Sequence, residues 1–382
     1  MDVHGHCDPK FDRVRQLLQR NISSGEEIGA SICVNVAGTN VLDIWGGFKD
    51  ANCSQPWEED TLVLVWSTTK CLTNFAALIL VDRGLLDPYE KVATYWPEFA
   101  ANGKENVEVR HFMSHNAGLP AWEEPITLEE LYDISKGAAI LAQQKPWWTP
   151  GTASGYHAIT QGHLIGELVK RITGKSLRQF IEEEITGPLN ADFHIGAPQE
   201  DWGRIAELYI PPQTPLHNTQ SQLDPESIAA RALATQYFKD GATTTAEFRN
   251  AELGACNGFA NARSVARSLC PISMGGTVDG KTFLSPKTLN MIFYEQSHVK
   301  DLVLLNHIRW GIGFALPSKL SSKPWIPQGR VCYWGGYGGS IIIMDLDRKL
   351  TIAYAMNKLG FGTQGTARTE EYVTAICKAI DS

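Results

Sequence analysis

Apolar positions along the chain follow two spacings, and the places where one gives way to the other predict its elements. Phe11, Val14, Leu17 and Leu18 keep helical spacing, so the chain is expected to open with a helix over residues 11–18. Residues 28–36 and 41–45 are apolar, β-branched runs, and Ala37-Gly38-Thr39-Asn40 between them predicts a hairpin. A further strand-like run at 61–65 leads into a helix that carries Leu72, Phe75, Ala76, Ile79 and Leu80 on one side and stops at Arg83-Gly84. Leu78 and Val81 add apolar residues to its other faces, which predicts a helix buried on most sides. Helical patterns then dominate. The clearest are residues 128–142, with Gly137 as an interruption, and 159–172, where Gly162 and Gly166 share a face suited to close packing and Gly174 is the terminator. Pro211, Pro212, Pro215 and Pro225 mark residues 202–245 as irregular surface. Beyond them the pattern predicts a helix at 264–269, strands at 340–345 and 350–356 paired across 346–349, and a last helix at 369–380.

Strands therefore gather at both ends of the chain, and a largely helical block separates them. This predicts an α+β sandwich: one antiparallel sheet built from residues 1–84 and 256–382 and covered by the terminal helices, with residues 85–255 as an inserted helical domain. A cleft is expected at the junction. No internal repeat or low-complexity tract changes this picture.

Composition narrows the function more than the fold. A formal charge of -8 and the absence of a basic stripe argue against nucleic acid as a partner. No apolar run approaches a membrane span, and Met1-Asp2-Val3-His4-Gly5-His6-Cys7 has neither the basic nor the apolar region of a signal peptide. The eight cysteines (7, 33, 53, 71, 256, 270, 332, 377) form no CxxC pair, which suits free thiols in a cytoplasmic protein rather than a disulfide framework or a zinc site.

The chemistry concentrates at Ser67-Thr68-Thr69-Lys70. Ser67 and Lys70 are one helical turn apart, so the amine can reach the hydroxyl, and a serine needs such a base to become a nucleophile. Taken alone, the same residues also read as a helix N-cap and an exposed lysine. Elsewhere the bland readings prevail. The Gly-x-Ser-x-Gly elbow is absent, and Thr173-Gly174-Lys175-Ser176 lacks the first glycine of a phosphate loop, with Val169 in its place. His111 and His115 lack a glutamate between them and a third ligand, and Cys71 reads as a small residue packing the helix start.

Three stretches in order resemble the motifs of the penicillin-recognising serine enzymes, the superfamily of class C β-lactamases, D-alanyl-D-alanine carboxypeptidases and family VIII carboxylesterases. Ser67-Thr68-Thr69-Lys70 resembles the first motif. Gly155-Tyr156-His157-Ala158 resembles the second, whose tyrosine serves as general base. Trp334-Gly335-Gly336 occupies the third and is similar to the Trp-Gly-Gly of family VIII esterases. The stretch from His111 to Pro120, Gly187-Pro188-Leu189, Asn257-Gly258 and Ala262-Arg263-Ser264 resemble further family segments, so the likeness runs from about residue 10 to the end.

The resemblance implies acyl transfer through an acyl-enzyme: Ser67 attacks a carbonyl carbon, Lys70 and Tyr156 share the proton work, and the amides of Ser67 and Tyr337 hold the oxyanion. Which of Lys70 and Tyr156 takes the serine proton stays open at this level. No cofactor and no metal is expected. Two departures bear on substrate. Ala158 stands where β-lactam enzymes carry an asparagine that helps bind the substrate amide, with His157 as a neighbouring donor, and Trp334 replaces a lysine or histidine that lies near the substrate carboxylate. These point to a neutral ester or thioester of a small metabolite, with part of the set Trp122, Trp147, Trp148, Trp310 and Phe361 lining the pocket. A β-lactamase or D-peptidase, and a non-catalytic interaction protein on the same fold, are the alternatives.

Overall fold

Fourteen strands carry the β-structure of the computed structural model, which describes residues 2–211, 223–234, 237–238, 241–360 and 362–382, apart from the side chain of residue 234. In chain order they are His4–Cys7 (β1), Gly29–Val36 (β2), Thr39–Gly47 (β3), Val63–Leu64 (β4), His194–Ile195 (β5), Gly258–Ala260 (β6), Thr277–Val278 (β7), Lys281–Thr282 (β8), Ser297–Lys300 (β9), His307–Trp310 (β10), Ala315–Leu316 (β11), Val331–Gly335 (β12), Ile341–Asp345 (β13) and Leu350–Met356 (β14). Nine form the main sheet in the order β1-β3-β2-β14-β13-β12-β11-β10-β9. All its pairs are antiparallel. The N-terminal hairpin thus lies directly against the last strand, as the distribution of strands predicts.

The β2–β3 turn is tighter than its sequence suggests. Ala37 and Gly38 alone make it, both at positive φ (49° and 91°), the twist that two-residue hairpins favour. Strand β14 is buried along its whole length, which explains its unbroken apolar run. Its alternate side chains meet different layers. Tyr354 packs on Tyr372 of the terminal helix Ala367–Asp381, with ring centroids 5.2 Å apart, whereas the Thr351 hydroxyl pairs with that of Ser273 at 2.6 Å, in the helix Ala262–Ser273. The first face also carries helix α1 (Asp12–Ser23), and Glu27, fully buried, accepts there from the Tyr354 and Tyr372 hydroxyls and pairs with Arg368.

A second sheet, β4-β6-β5, delivers the chain to the site. After β4 the Val65 N–H donates to the Gly258 carbonyl at 2.9 Å, a short 3-10 turn spans Trp66–Thr68, and helix α2 runs from Thr69 to Asp82. Every residue of α2 from Thr69 to Leu80 is buried, as predicted. Its closing residues are Arg83 and Gly84, the latter at φ 70°.

Some elements differ from expectation. Residues 128–142 break at Asp133, not at Gly137: Asp133 accepts from the Ser135 and Lys136 N–H groups, both at 3.1 Å, and so caps a second helix, Ile134–Gln143. Gly137 sits inside that helix, where a Cβ would lie 2.6 Å from the His163 ring. Gly162 faces the backbone of Gly254 and Ala255 rather than a helix, whereas Gly166 meets Ile134. Strands β1 and β9 to β11 extend the sheet at its edges, in stretches whose apolar pattern predicts no strand. Part of the irregular stretch 202–245 lies outside the described residues; its described part opens on the end of the 3-10 turn Gln199–Arg204 and holds a helix at Ile228–Ala234 and a 3-10 turn at Ala242–Thr244.

Candidate active site

Ser67 lies in the 3-10 turn and Lys70 in the first turn of α2, so the short hop between them is set by local structure alone. Lys70 Nζ is 3.1 Å from Ser67 Oγ, and two main-chain carbonyls surround the amine: Ala158 O at 2.6 Å and Ala255 O at 2.8 Å. As an ammonium, Lys70 would donate to all three. As a neutral amine it keeps both carbonyl bonds and turns its lone pair toward the serine hydroxyl. No carboxylate is among its bonded partners, and complete burial pushes its pKa from 10.5 down to about 7, with small opposing effects from Cys256 and Cys71. Cys71 is buried with its thiol pushed up, the state of an inert packing residue.

Tyr156 closes the group from the helical part of the chain. Its phenol interacts with the Ser67 side chain, its ring lies 4.8 Å from Lys70 Nζ, and the Trp334 indole N–H donates to the hydroxyl at 3.1 Å. Burial raises the phenol pKa more than Ser67 and Trp334 lower it, so Tyr156 is a neutral donor at ordinary pH. Trp334 is itself buried, sandwiched by Tyr156 (5.2 Å) and Trp310 (4.6 Å), so its one polar atom faces the tyrosine. Asp301, a residue that the sequence did not single out, anchors this arrangement. Its Oδ1 accepts from the backbone N–H groups of Tyr156 (3.0 Å), Val303 (3.0 Å) and Leu304 (2.9 Å). It lies 145 residues from Tyr156, and nothing local announces it.

The third motif approaches Ser67 by backbone. A Cβ on Gly336 would lie 2.2 Å from Val65 O and 2.4 Å from Ser340 Oγ, so only glycine fits. Ser340 ties the strand turn to the turn that carries Ser67: its hydroxyl donates to Val65 O at 2.8 Å and lies 3.0 Å from Thr68 Oγ1. Gly335 ends β12, and Tyr337 follows Gly336 as a half-buried residue.

Other predicted residues lie elsewhere. His157 faces away from Ser67: its Nδ1 donates to Gly155 O at 2.6 Å and its Nε2 accepts from the Leu119 N–H at 3.2 Å, so it braces the loop instead of meeting a substrate. His115 accepts the His157 N–H at 3.0 Å, and His111 caps its helix by accepting the Glu108 N–H at 3.1 Å, both structural roles. Of the aromatic set, Trp122 and Trp310 are core residues, Trp147 and Trp148 are partly buried, and Phe361 lies outside the described residues. Among the described residues one group has metal-ligand spacing, Asp192, His194 and Asp201. Arg204 already bonds both carboxylates at 2.7 Å, so a cation occupies the centre of that group.

A serine, a carboxylate-free buried lysine and a tyrosine brought together this way, beside the end of an inner strand of an antiparallel sheet flanked by helices, define a serine hydrolase of the β-lactamase type. The chain matches the β-lactamase family over residues 14–374 and belongs to it. It is 32% identical over 369 residues to the esterase/β-lactamase LipL of Mycobacterium tuberculosis (strain ATCC 25618 / H37Rv), covering 94% of this chain and 83% of that one. Its fold is similar to a family VIII carboxylesterase (TM-score 0.91, 34% identity, 99% of this chain and 100% of the other). It is similar also to a penicillin-binding protein homologue from Caulobacter crescentus (TM-score 0.90, 33% identity, 99% and 100%). Among the described residues no helix is long and apolar enough to cross a membrane.

Proposed function

We propose that this protein is a carboxylesterase that cleaves neutral esters or thioesters of small molecules through an acyl-enzyme on Ser67. The observation that carries the reading is the environment of Lys70: a buried amine with a pKa near 7, two N–H bonds fixed on carbonyls and its third position on Ser67 Oγ. A base poised near neutrality combines a large deprotonated fraction with useful proton affinity. With Lys70 neutral, the Ser67 hydroxyl donates to its lone pair, and beside them the Trp334 N–H donates to the Tyr156 hydroxyl.

In acylation, Ser67 Oγ attacks the ester carbonyl while Lys70 takes its proton. Tyr156 donates its own proton to the departing alkoxide and regains one from Lys70, and the acyl-enzyme remains. Water resolves it by the reverse route, and an alcohol in place of water would make the reaction a transfer. The Ser67 and Tyr337 amides stabilise the oxyanion; among the described residues, neither makes a main-chain hydrogen bond. The third motif offers Trp334 in place of a cation, and the indole N–H is engaged by Tyr156, so a substrate carboxylate finds no partner there. Leaving it unpaired on burial costs several kcal/mol. Neutral esters are therefore expected to exceed cephalosporins by at least ~10² in kcat/KM. The test sets a p-nitrophenyl ester beside a chromogenic cephalosporin and follows Ser67 by intact mass. Wild type should gain one acyl group and Ser67→Ala none; an adduct on Ser67→Ala, or equal efficiency on both substrates, would contradict the reading.

A further inference from the structure

Ser67 and Tyr337, whose amides are assigned above to the oxyanion, belong to different parts of the fold. One stands at the start of α2 and the other in the turn between β12 and β13. That turn has little to hold it by side-chain packing, since residues 335, 336, 338 and 339 are all glycine and Tyr337 is the single side chain among them. Its ring meets Trp66, the residue just before Ser67, edge to face: the centroids are 5.8 Å apart and the planes 82°. This is a favourable aromatic geometry.

Trp66 is itself unusual. It lies at φ 48°, in the left-handed region that bulky residues avoid, and such conformations persist only where surrounding structure imposes them. Its carbonyl accepts from the Thr69 hydroxyl, and that oxygen in turn accepts the Gly258 N–H at 2.8 Å. On its other side Val65 is held by Ser340. The Phe238 ring also packs on Trp66, with centroids 6.3 Å apart.

We propose that the Trp66–Tyr337 ring contact is a clasp that fixes the separation of the two oxyanion amides, which makes both side chains positioning residues. The inference rests on the acyl-enzyme reading of Ser67. Oxyanion donors act on charge that exists only in the transition state, so a loosened clasp lowers kcat and leaves KM nearly unchanged. The loss is the same for every acyl group. It is also shared: once either ring is gone the contact is gone, and removing the second ring removes nothing more.

The experiment compares wild type, Trp66→Leu, Tyr337→Leu, the double variant and the conservative Trp66→Phe and Tyr337→Phe. The substrates are p-nitrophenyl acetate, butyrate and benzoate, with intact mass for the Ser67 adduct and circular dichroism for folding. Each Leu variant should lose about 10-fold in kcat on all three esters, with KM changed by less than about 3-fold. The double variant should match the weaker single variant within about 3-fold, and the Phe variants should stay within about 3-fold of wild type. If Trp66→Leu does not fold, Tyr337→Leu alone decides, because it must lose kcat equally on the three esters. Multiplicative losses in the double variant, a loss confined to benzoate with a raised KM, or unchanged kcat would overturn the clasp while leaving the adduct intact. Absence of an adduct on wild-type Ser67 would overturn the acyl-enzyme reading and the clasp with it.

Discussion

Replacing Lys70 by methionine tests the buried amine in two independent currencies, rate and stability. Lys70 binds a proton in the unfolded chain up to about pH 10.5, its ordinary value. In the folded protein burial releases that proton above about pH 7. Between these limits the unfolded state holds more protons, so this group makes stability rise with pH by about 1.4 kcal/mol per pH unit, and below pH 7 its contribution is constant. Methionine removes the titration and leaves the carbonyls of Ala158 and Ala255 without their donor. That loss, about 1–3 kcal/mol for each buried acceptor, does not depend on pH. It therefore cancels when the two proteins are compared across pH, and wild type should gain roughly 2–3 kcal/mol on the variant between pH 7 and 9. Urea unfolding at pH 6, 7, 8 and 9 measures the difference. In parallel, kcat/KM of wild type should fall with unit slope below about pH 7. Lys70→Met should lose about 10² to 10⁴ in turnover. Parallel stability curves for the two proteins, together with a wild-type rate that is flat from pH 5.5 to 8.5, would refute a neutral Lys70 base.

Tyr156→Phe should lower kcat on p-nitrophenyl butyrate by about 10² to 10⁴, and because it also leaves the buried Trp334 N–H without its acceptor, thermal melting should show a loss of about 1–3 kcal/mol; near-full activity would exclude Tyr156 from the chemistry. Trp334→Phe keeps a ring against Trp310 but deletes the N–H held by Tyr156, and a steady-state assay should show about a 10-fold fall in kcat. Gly336→Ala forces a methyl to within 2.2 Å of Val65 O, so circular dichroism melting should show a loss of at least about 2 kcal/mol and the esterase assay no turnover.

Ser67 and Lys70 could be found in the sequence because one helical turn joins them, and the strands β2, β3, β13 and β14 because their apolar runs are long and bounded by turns. The carbonyls that hold Lys70 left no trace. Ala158 and Ala255 act through main-chain oxygens, which any residue type supplies. Asp301 was hidden for a related reason, since it accepts from the Tyr156 backbone across a long sequence separation. Trp334 was placed by its motif, but its contact with the Tyr156 hydroxyl follows from how two distant segments pack. Strands β9 to β11 are short, and residues such as Lys300, His307 and Arg309 interrupt their apolar pattern, so period-two alternation is faint there. Asp133 broke a predicted helix because its side chain caps the next one, a local competition that propensity at Gly137 obscured.

The pairing of β2 with β14 has a consequence for how the protein is made. About 320 residues separate the two strands, which at 5–20 residues per second corresponds to roughly 15–60 s of synthesis. Throughout that interval the N-terminal hairpin has one edge of β2 open, with Ile32, Val34 and Val36 along it, the kind of edge that recruits other chains. Tyr337 arrives equally late, so Ser67 leaves the ribosome long before the turn that is to face it. On the proposed roles of these residues, a nascent chain carries Ser67 without its oxyanion partner and should show no esterase activity until the last strands close the sheet. Expression yield should accordingly depend on whatever shields that hairpin during synthesis more than on the stability of the finished fold.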